Sequence, residues 1–359
     1  MAESGTGPIN VADYERLASE ALDAGPLGYF SGGAWDEFTL RENVDVWRRW
    51  RLRPRMLVDV GDVSTATELL GSEVSMPIVV APVAFQRMAH EDGEPGMARA
   101  AAEAGTLMCL STIATARASE VAEAAPGGHR WFQLYCFRDR AVTQALIDEA
   151  TEFGYEAIVL TVDAPRLGWR ERDLRSGFVV PASVTVPSVA AALGADKPIG
   201  VAEAFALLDP TITWADLEQL VSGCDLPVLV KGVLSAEDAE LALEHGAAGV
   251  IVSNHGGRQL DGVAPSAEAL PEVADAISGR GLVLVDGGVR RGTDVLVALA
   301  LGADAVMVGR PALWGLAADG ERGALRVLQI LRKELELALA LAGCPSPGAV
   351  TGEHVRAAP

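Results

Sequence analysis

Eight short apolar runs punctuate the chain: Pro77–Pro82, Leu107–Ser111, Trp131–Tyr135, Ala157–Asp163, Val228–Lys231, Gly249–Ser253, Leu282–Asp286 and Ala305–Gly309. Runs of this length, with few internal polar positions, are the mark of strands buried on both faces. Between most of them the apolar positions recur at intervals of three and four, as in Ala141–Glu152, Ala236–Glu244 and Asp294–Ala300, which predicts helices. Buried strand alternating with helix implies a parallel sheet, and eight repeats imply an α/β fold of the (β/α)8 TIM-barrel type. A doubly wound open sheet is the competing architecture. Polar residues stand at the end of nearly every run, and only the barrel turns all those ends toward one catalytic face.

Three stretches fall outside the repeat. Residues 1–75 are expected to form an N-terminal helical cap that starts with a helix near Val11–Asp23. Residues 172–212 form a long connection after strand four, whose middle, Val180–Leu208, mixes Pro, Ala and Gly with few charges. A connection of that length inside a compact domain is expected to be a lid loop. Leu316–Ala342 predicts one long final helix ending near Gly343. The whole chain, 1–359, is expected to be a single domain.

Composition narrows the function classes. The chain is 50% hydrophobic and 22% charged, with a formal net charge of −20. So acidic a surface argues against nucleic-acid binding, which needs a basic face. A local basic pocket remains compatible with it, because charges are screened over about 8 Å at physiological salt. No apolar span approaches the ~18 residues that would predict a membrane helix, and the polar opening MAESGTGPIN lacks the order of a signal peptide. The expectation is a cytoplasmic protein without a membrane partner. Cys109, Cys136, Cys224 and Cys344 lie far apart with no CxxC and are expected to be reduced packing residues. The five histidines show no metal-ligand spacing, so no metal is expected.

Candidate chemistry collects at the run ends: Pro82, Val83 and Ala84; Ser111; Gln133 with Tyr135; Thr161 with Asp163; Lys231; Ser253 with His255; Asp286 with Gly287 and Gly288; and Gly309 with Arg310. This set is rich in hydrogen-bonding groups and suits a planar polar cofactor. The segments Asp286–Arg290 and Gly309–Arg310 follow strands seven and eight, where barrels commonly bind phosphate, and combine glycine amides with the arginines Arg290 and Arg310. In Ser253–Asp261, a titratable base (His255) stands three residues before a permanent cation (Arg258). Asp163 could hold the imidazole tautomer, while Arg258 and Arg170 could grip a carboxylate as a fork. Lys231, at a strand end, is expected in the barrel mouth, where it would stabilise negative charge on a cofactor.

Taken together, these residues resemble the FMN-dependent α-hydroxy-acid oxidase and dehydrogenase family, which includes glycolate, lactate and mandelate or hydroxymandelate oxidases. The likeness runs from about Tyr29 to Gly343 through Tyr29–Ala34, Leu52–Arg55, Ala81–Ala84, Gln133–Tyr135, Thr161–Arg166, Leu229–Val233, Ser253–Asp261, Asp286–Gly292 and Gly309–Pro311. The resemblance implies His255 as base with Asp163 as its partner. It implies Arg258, Arg170, Tyr29 and Tyr135 on the substrate and Lys231 beside the flavin N1. It further implies Pro82, Val83, Ala84, Ser111, Gln133, Thr161 and Ser253 against FMN, with Asp286, Gly288, Arg290, Gly309 and Arg310 holding the ribityl chain and phosphate. An (S)-2-hydroxy acid would be oxidised to the 2-oxo acid and O2 reduced to H2O2, in a homotetramer.

Three departures bear on the substrate. Ile113 stands where short-chain glycolate oxidases carry a tryptophan, which implies a wider pocket. Val83 replaces a frequent threonine, and Ala84 is the oxidase-like residue. The segment Gln133–Asp139 is similar to hydroxymandelate oxidases, so the expected substrate is larger than glycolate: mandelate, 4-hydroxymandelate or lactate. Two alternatives stay open. One is a same-family dehydrogenase delivering electrons to a quinone or cytochrome; the other is a phosphate-binding barrel isomerase or synthase without net redox.

Overall fold

The computed structural model describes residues 7–358. The eight apolar runs form the strands β1 (Ile78–Val80), β2 (Met108–Ser111), β3 (Arg130–Leu134), β4 (Ala157–Thr161), β5 (Val228–Val233), β6 (Gly249–Val252), β7 (Leu282–Asp286) and β8 (Ala305–Val308). Each is parallel to its neighbours, and β8 closes the barrel on β1 through Val306–Ile78, Met307–Val79 and Val308–Val80. The predicted helices follow their strands, including Arg140–Glu152, Ala236–Glu244 and Gly292–Ala300. The doubly wound alternative is thereby excluded.

Strand pleating explains why one end of this barrel is a site and the other a core. Successive side chains alternate between interior and exterior. Val79, Cys109, Trp131, Val159, Leu229, Ile251, Leu284 and Met307 pack together inside the barrel. Two residues further along, the same inward columns carry Ser111, Gln133, Thr161, Lys231, Ser253 and Asp286. The interior therefore changes from apolar to polar along a single axis, toward the carboxyl ends of the strands. The amino-terminal end is plugged by an antiparallel hairpin, Thr67–Leu69 with Ser72–Val74, which contributes Leu69 and Val74 to the interior.

The stretches outside the repeat depart from expectation in informative ways. The cap begins with a helix over Val11–Ala21 and continues with Ala24–Ser31 and Phe38–Asp45; residues 1–6 of that expected region lie outside the described ones. Residues Trp50–Leu52 pair antiparallel with Val355–Ala357, a link too short to leave a pattern in the sequence. The connection after β4 is not a bare loop. It holds three short helices, Glu171–Ser176, Pro187–Ala192 and Val201–Ala206, too short for helical periodicity to show. The final helix starts at Arg310 rather than near Leu316, and it breaks at Asp319–Gly320, where Gly320 takes φ 57°. Its first segment thus begins directly on the end of β8, at the barrel mouth. Among the described residues no helix is long and apolar enough to cross a membrane.

Candidate active site

A cleft of about 1140 Å3, counting its open mouth, occupies the carboxyl end of the barrel. Every site residue expected from the sequence lines it except Asp163 and Ser253, which sit one layer behind.

His255 follows β6 in the left-handed backbone region, at φ 59°. Its N–H donates to Ser253 Oγ at 3.1 Å, and its Nδ1 lies 2.8 Å from Asp163 Oδ1. An ionised carboxylate accepts only, so Nδ1 carries the proton and Nε2 is left as the acceptor. Burial acts to raise the Asp163 pKa, but contact with the His255 ring and the nearby Lys231 charge hold it below the ordinary value. Gly232, at φ 111°, makes room for this aspartate: a Cβ there would lie 2.6 Å from the Asp163 Cβ.

Beside this pair, two guanidiniums face one aromatic ring. Arg258 lies 4.8 Å and Arg170 5.4 Å from the Tyr29 ring centre. Arg258 also donates to the carbonyls of Tyr29 (2.6 Å) and Gly32 (3.0 Å), whereas Arg170 Nε is buried without a partner. Arg310 donates to the carbonyls of Phe30, Gly256 and Gly32. Through three of its five N–H groups it ties the cap to the His255 loop, and it supplies charge. The Arg290 side chain, bonded among the described residues only to the Val289 carbonyl, is the freer of the two phosphate candidates.

Among the described residues none of these four arginines pairs with a carboxylate. Burial and the neighbouring guanidiniums push Arg258 down to about 10 and Arg310 down to about 9. Buried, mutually repelling cations are unfavourable unless anions neutralise them. All four guanidinium side chains line the cleft.

The cleft floor is polar. Lys231 Nζ contacts Asp286 Oδ2 at 2.7 Å and donates to Ser253 Oγ at 2.6 Å. Burial alone would lower the Lys231 pKa, but the Asp286 and Asp163 carboxylates raise it, so the ammonium is retained. Ser253 is completely buried and supports Lys231 and the His255 backbone instead of facing the cleft. At the cleft end of the inward columns three buried polar atoms have no partner among the described residues: Gln133 Nε2, Thr161 Oγ1 and Asp286 Oδ1. Native proteins rarely orphan buried polar atoms. An unpaired donor, hydroxyl and acceptor beside a lysine match the hydrogen-bonding edge of a flavin's pyrimidine ring. Arg290, the Gly288 backbone and the Arg310 helix start match its phosphate. The residues present fit FMN.

Several contributors were not legible as site residues. Asn254 and Asn43 of the cap exchange two amide hydrogen bonds of 2.8 Å across 211 positions of sequence. Asp261 accepts from the N–H groups of Phe38 and Thr39, holding the start of helix Phe38–Asp45. Gln259 spans the loops after β4 and β6. Phe205 and Leu167 reach the cleft wall from the connection after β4. Much of Ser253–Asp261 therefore joins cap to barrel, and only His255 and Arg258 of that motif offer charged groups to the cleft.

Comparison with known proteins is decisive at this point. Residues 18–357 match the family described as FMN-dependent dehydrogenase. The chain belongs to that family. It is 48% identical to an L-lactate oxidase of Nostoc sp., over 94% of this chain and 95% of the relative. It is equally, 48%, identical to glycolate oxidase 3 of Arabidopsis thaliana, over 97% and 95%. Among solved structures, a mandelate oxidase with (S)-4-hydroxymandelic acid superposes with a TM-score of 0.91 at 42% identity, covering 97% of this chain and 98% of that one. The chain is therefore an FMN-dependent flavoenzyme. Its relatives differ in substrate, so similarity alone does not select one.

Proposed function

We propose that this flavoenzyme oxidises an (S)-2-hydroxy acid with an apolar side chain larger than that of glycolate, and passes the electrons to O2 to give H2O2. The carrying observation is the pair of uncompensated guanidiniums over Tyr29, next to a histidine already oriented by an aspartate. The Arg258 and Arg170 guanidiniums bind the substrate carboxylate, which supplies their missing counter-charge. Tyr135 donates from its phenol to the substrate oxygens; burial and the Asp163 charge push its pKa up, which keeps that proton in place. His255 Nε2 accepts the proton that leaves the substrate, and Asp163 stabilises the imidazolium that results. FMN, held by Gln133, Thr161, Lys231, Asp286, Gly288 and Arg290, supplies the two-electron acceptor when bound. Lys231 offers positive charge where negative charge builds up.

The side-chain end of the cleft supports the larger substrate. Ile113, Leu167 and Phe205 present apolar surface there, and an apolar wall rewards a phenyl or alkyl group and does nothing for glycolate. Tyr29 and Phe30 of the cap and Phe205 of the connection after β4 complete the cleft wall. The test is anaerobic flavin reduction with glycolate, lactate, mandelate and long-chain hydroxy acids, both enantiomers, followed by admission of oxygen. The expected result is fastest bleaching by (S)-mandelate or a similarly bulky acid, then reoxidation with one peroxide per flavin. Preference for glycolate would overturn the substrate assignment. Reduced flavin that persists in air, and reoxidises only with a quinone or cytochrome, would overturn the oxygen assignment.

A further inference from the structure

Asp163 and His255 stand on different strands, and their 2.8 Å contact exists only if the loops after β4 and β6 are held in register. Gln259 is the side chain that holds them. It is 6% exposed, and its Nε2 donates both protons, to the carbonyls of Asp163 (3.1 Å) and Arg166 (2.8 Å). Its Oε1 accepts the N–H of Gly168 at 3.1 Å. One carboxamide thus grips the β4 loop at three places, beginning with the backbone of the aspartate itself and ending two residues before Arg170. Gly168 completes the fit: a Cβ there would lie 2.3 Å from the Arg258 carbonyl, so the two loops touch backbone to backbone.

We propose that Gln259 is a positioning residue for hydroxy-acid oxidation, setting the His255–Asp163 pair and the Arg258–Arg170 clamp together. The inference rests on the assignment of His255 as base. No other natural side chain of this length both donates twice and accepts. Glutamate has the same shape but would set a carboxylate against two carbonyl oxygens. A shift of about 1 Å in the pair is enough to cost on the order of 10²-fold in rate.

The test compares Gln259→Glu, Asp163→Asn and the double variant in the FMN-loaded enzyme, reading the rate of anaerobic flavin reduction per bound flavin. Gln259→Glu is expected to keep its flavin and lose about 10²-fold in reduction rate, with a raised KM. In the Asp163→Asn background the same change is expected to cost less than about 5-fold, because residues acting as one unit are not additive. Should Gln259→Glu fail to load FMN, Gln259→Met, similar in length but without donors or charge, takes its place. A reduction rate per flavin within about 2-fold of the parent, or independent losses in the two backgrounds, would overturn the proposal. Losing reduction in His255→Gln while keeping it in Gln259→Glu overturns this proposal alone. Normal reduction in His255→Gln overturns the base assignment beneath it.

Discussion

His255 sits at φ 59°, a conformation that costs a non-glycine residue roughly 1–2 kcal/mol. The strain is held by two contacts, its N–H on Ser253 and its ring on Asp163. Replacing it by glutamine removes the proton acceptor and leaves the cleft walls intact. The expected outcome is a yellow, FMN-bound protein whose reduction by substrate falls by at least 10²–10⁴-fold, measured by stopped-flow bleaching. Asp163 carries a second prediction. A carboxylate whose folded pKa lies below its unfolded value contributes stability that is complete above the unfolded value and is lost as pH falls through the folded one. With an ordinary value of 3.8 for this group, Asp163→Asn is expected to be less stable than the parent at neutral pH. The gap in urea midpoint should close as pH drops below about 4. A gap that widened on acidification would mean that the carboxylate is not held in its charged form.

At the scale of elements, the cap is fastened to the barrel by contacts through Asn43, Asp261, Arg258 and Arg310. Gly288, on the loop after β7, packs so closely on the cap that a Cβ would lie 1.7 Å from the Asn43 carbonyl oxygen. Gly288→Ala must displace either the helix Phe38–Asp45 or the loop that lines the phosphate end. It is expected to lose most of its FMN affinity, as read by flavin fluorescence on titration. Asn43→Ala removes two reciprocal hydrogen bonds and leaves the buried Asn254 amide with only its contacts to the Ala264 carbonyl and the Gly257 N–H. The cost is about 1–3 kcal/mol, or a fall in Tm of about 2–4 °C per kcal/mol for a chain of this size. These contacts were opaque in the sequence for a plain reason. Asn43 and Asn254 are separated by 211 positions, and neither periodicity nor local turn chemistry marks an asparagine that bonds so far away. The short helices of the strand-four connection escaped notice because six residues are too few to display a repeat.

For the whole molecule, the uncompensated cations make folding and ligand binding one problem. In the proposed binding mode FMN would bring its phosphate to the arginines and hydrogen-bonding partners to the orphaned Gln133, Thr161 and Asp286 atoms. Binding at 100 times Kd adds about 2.7 kcal/mol of stability, so stripping FMN is expected to lower Tm by about 5–10 °C. Arg290→Met should reduce that difference, whereas Ile113→Trp should leave it unchanged and shift substrate preference toward smaller acids. Equal Tm values with and without FMN would show that the cations are neutralised in some other way.

The sequence by itself determined the barrel, the catalytic end and most of the cleft lining. Strand count and strand-end polarity are local properties: each run needs only its own residues to specify burial, and the period of two sets which residue faces inward. Tertiary structure alone decided how the polar groups share one another. It put Ser253 under Lys231 and the His255 backbone, turned Arg310 toward the cap carbonyls, and paired Lys231 with Asp286. It also gave Gln259 its contacts across two loops and brought Phe205 to the cleft wall. Hydrogen-bond partners and ion pairs depend on distances of about 3 Å between residues remote in sequence, and those distances exist only after the barrel has closed and the cap has docked on it.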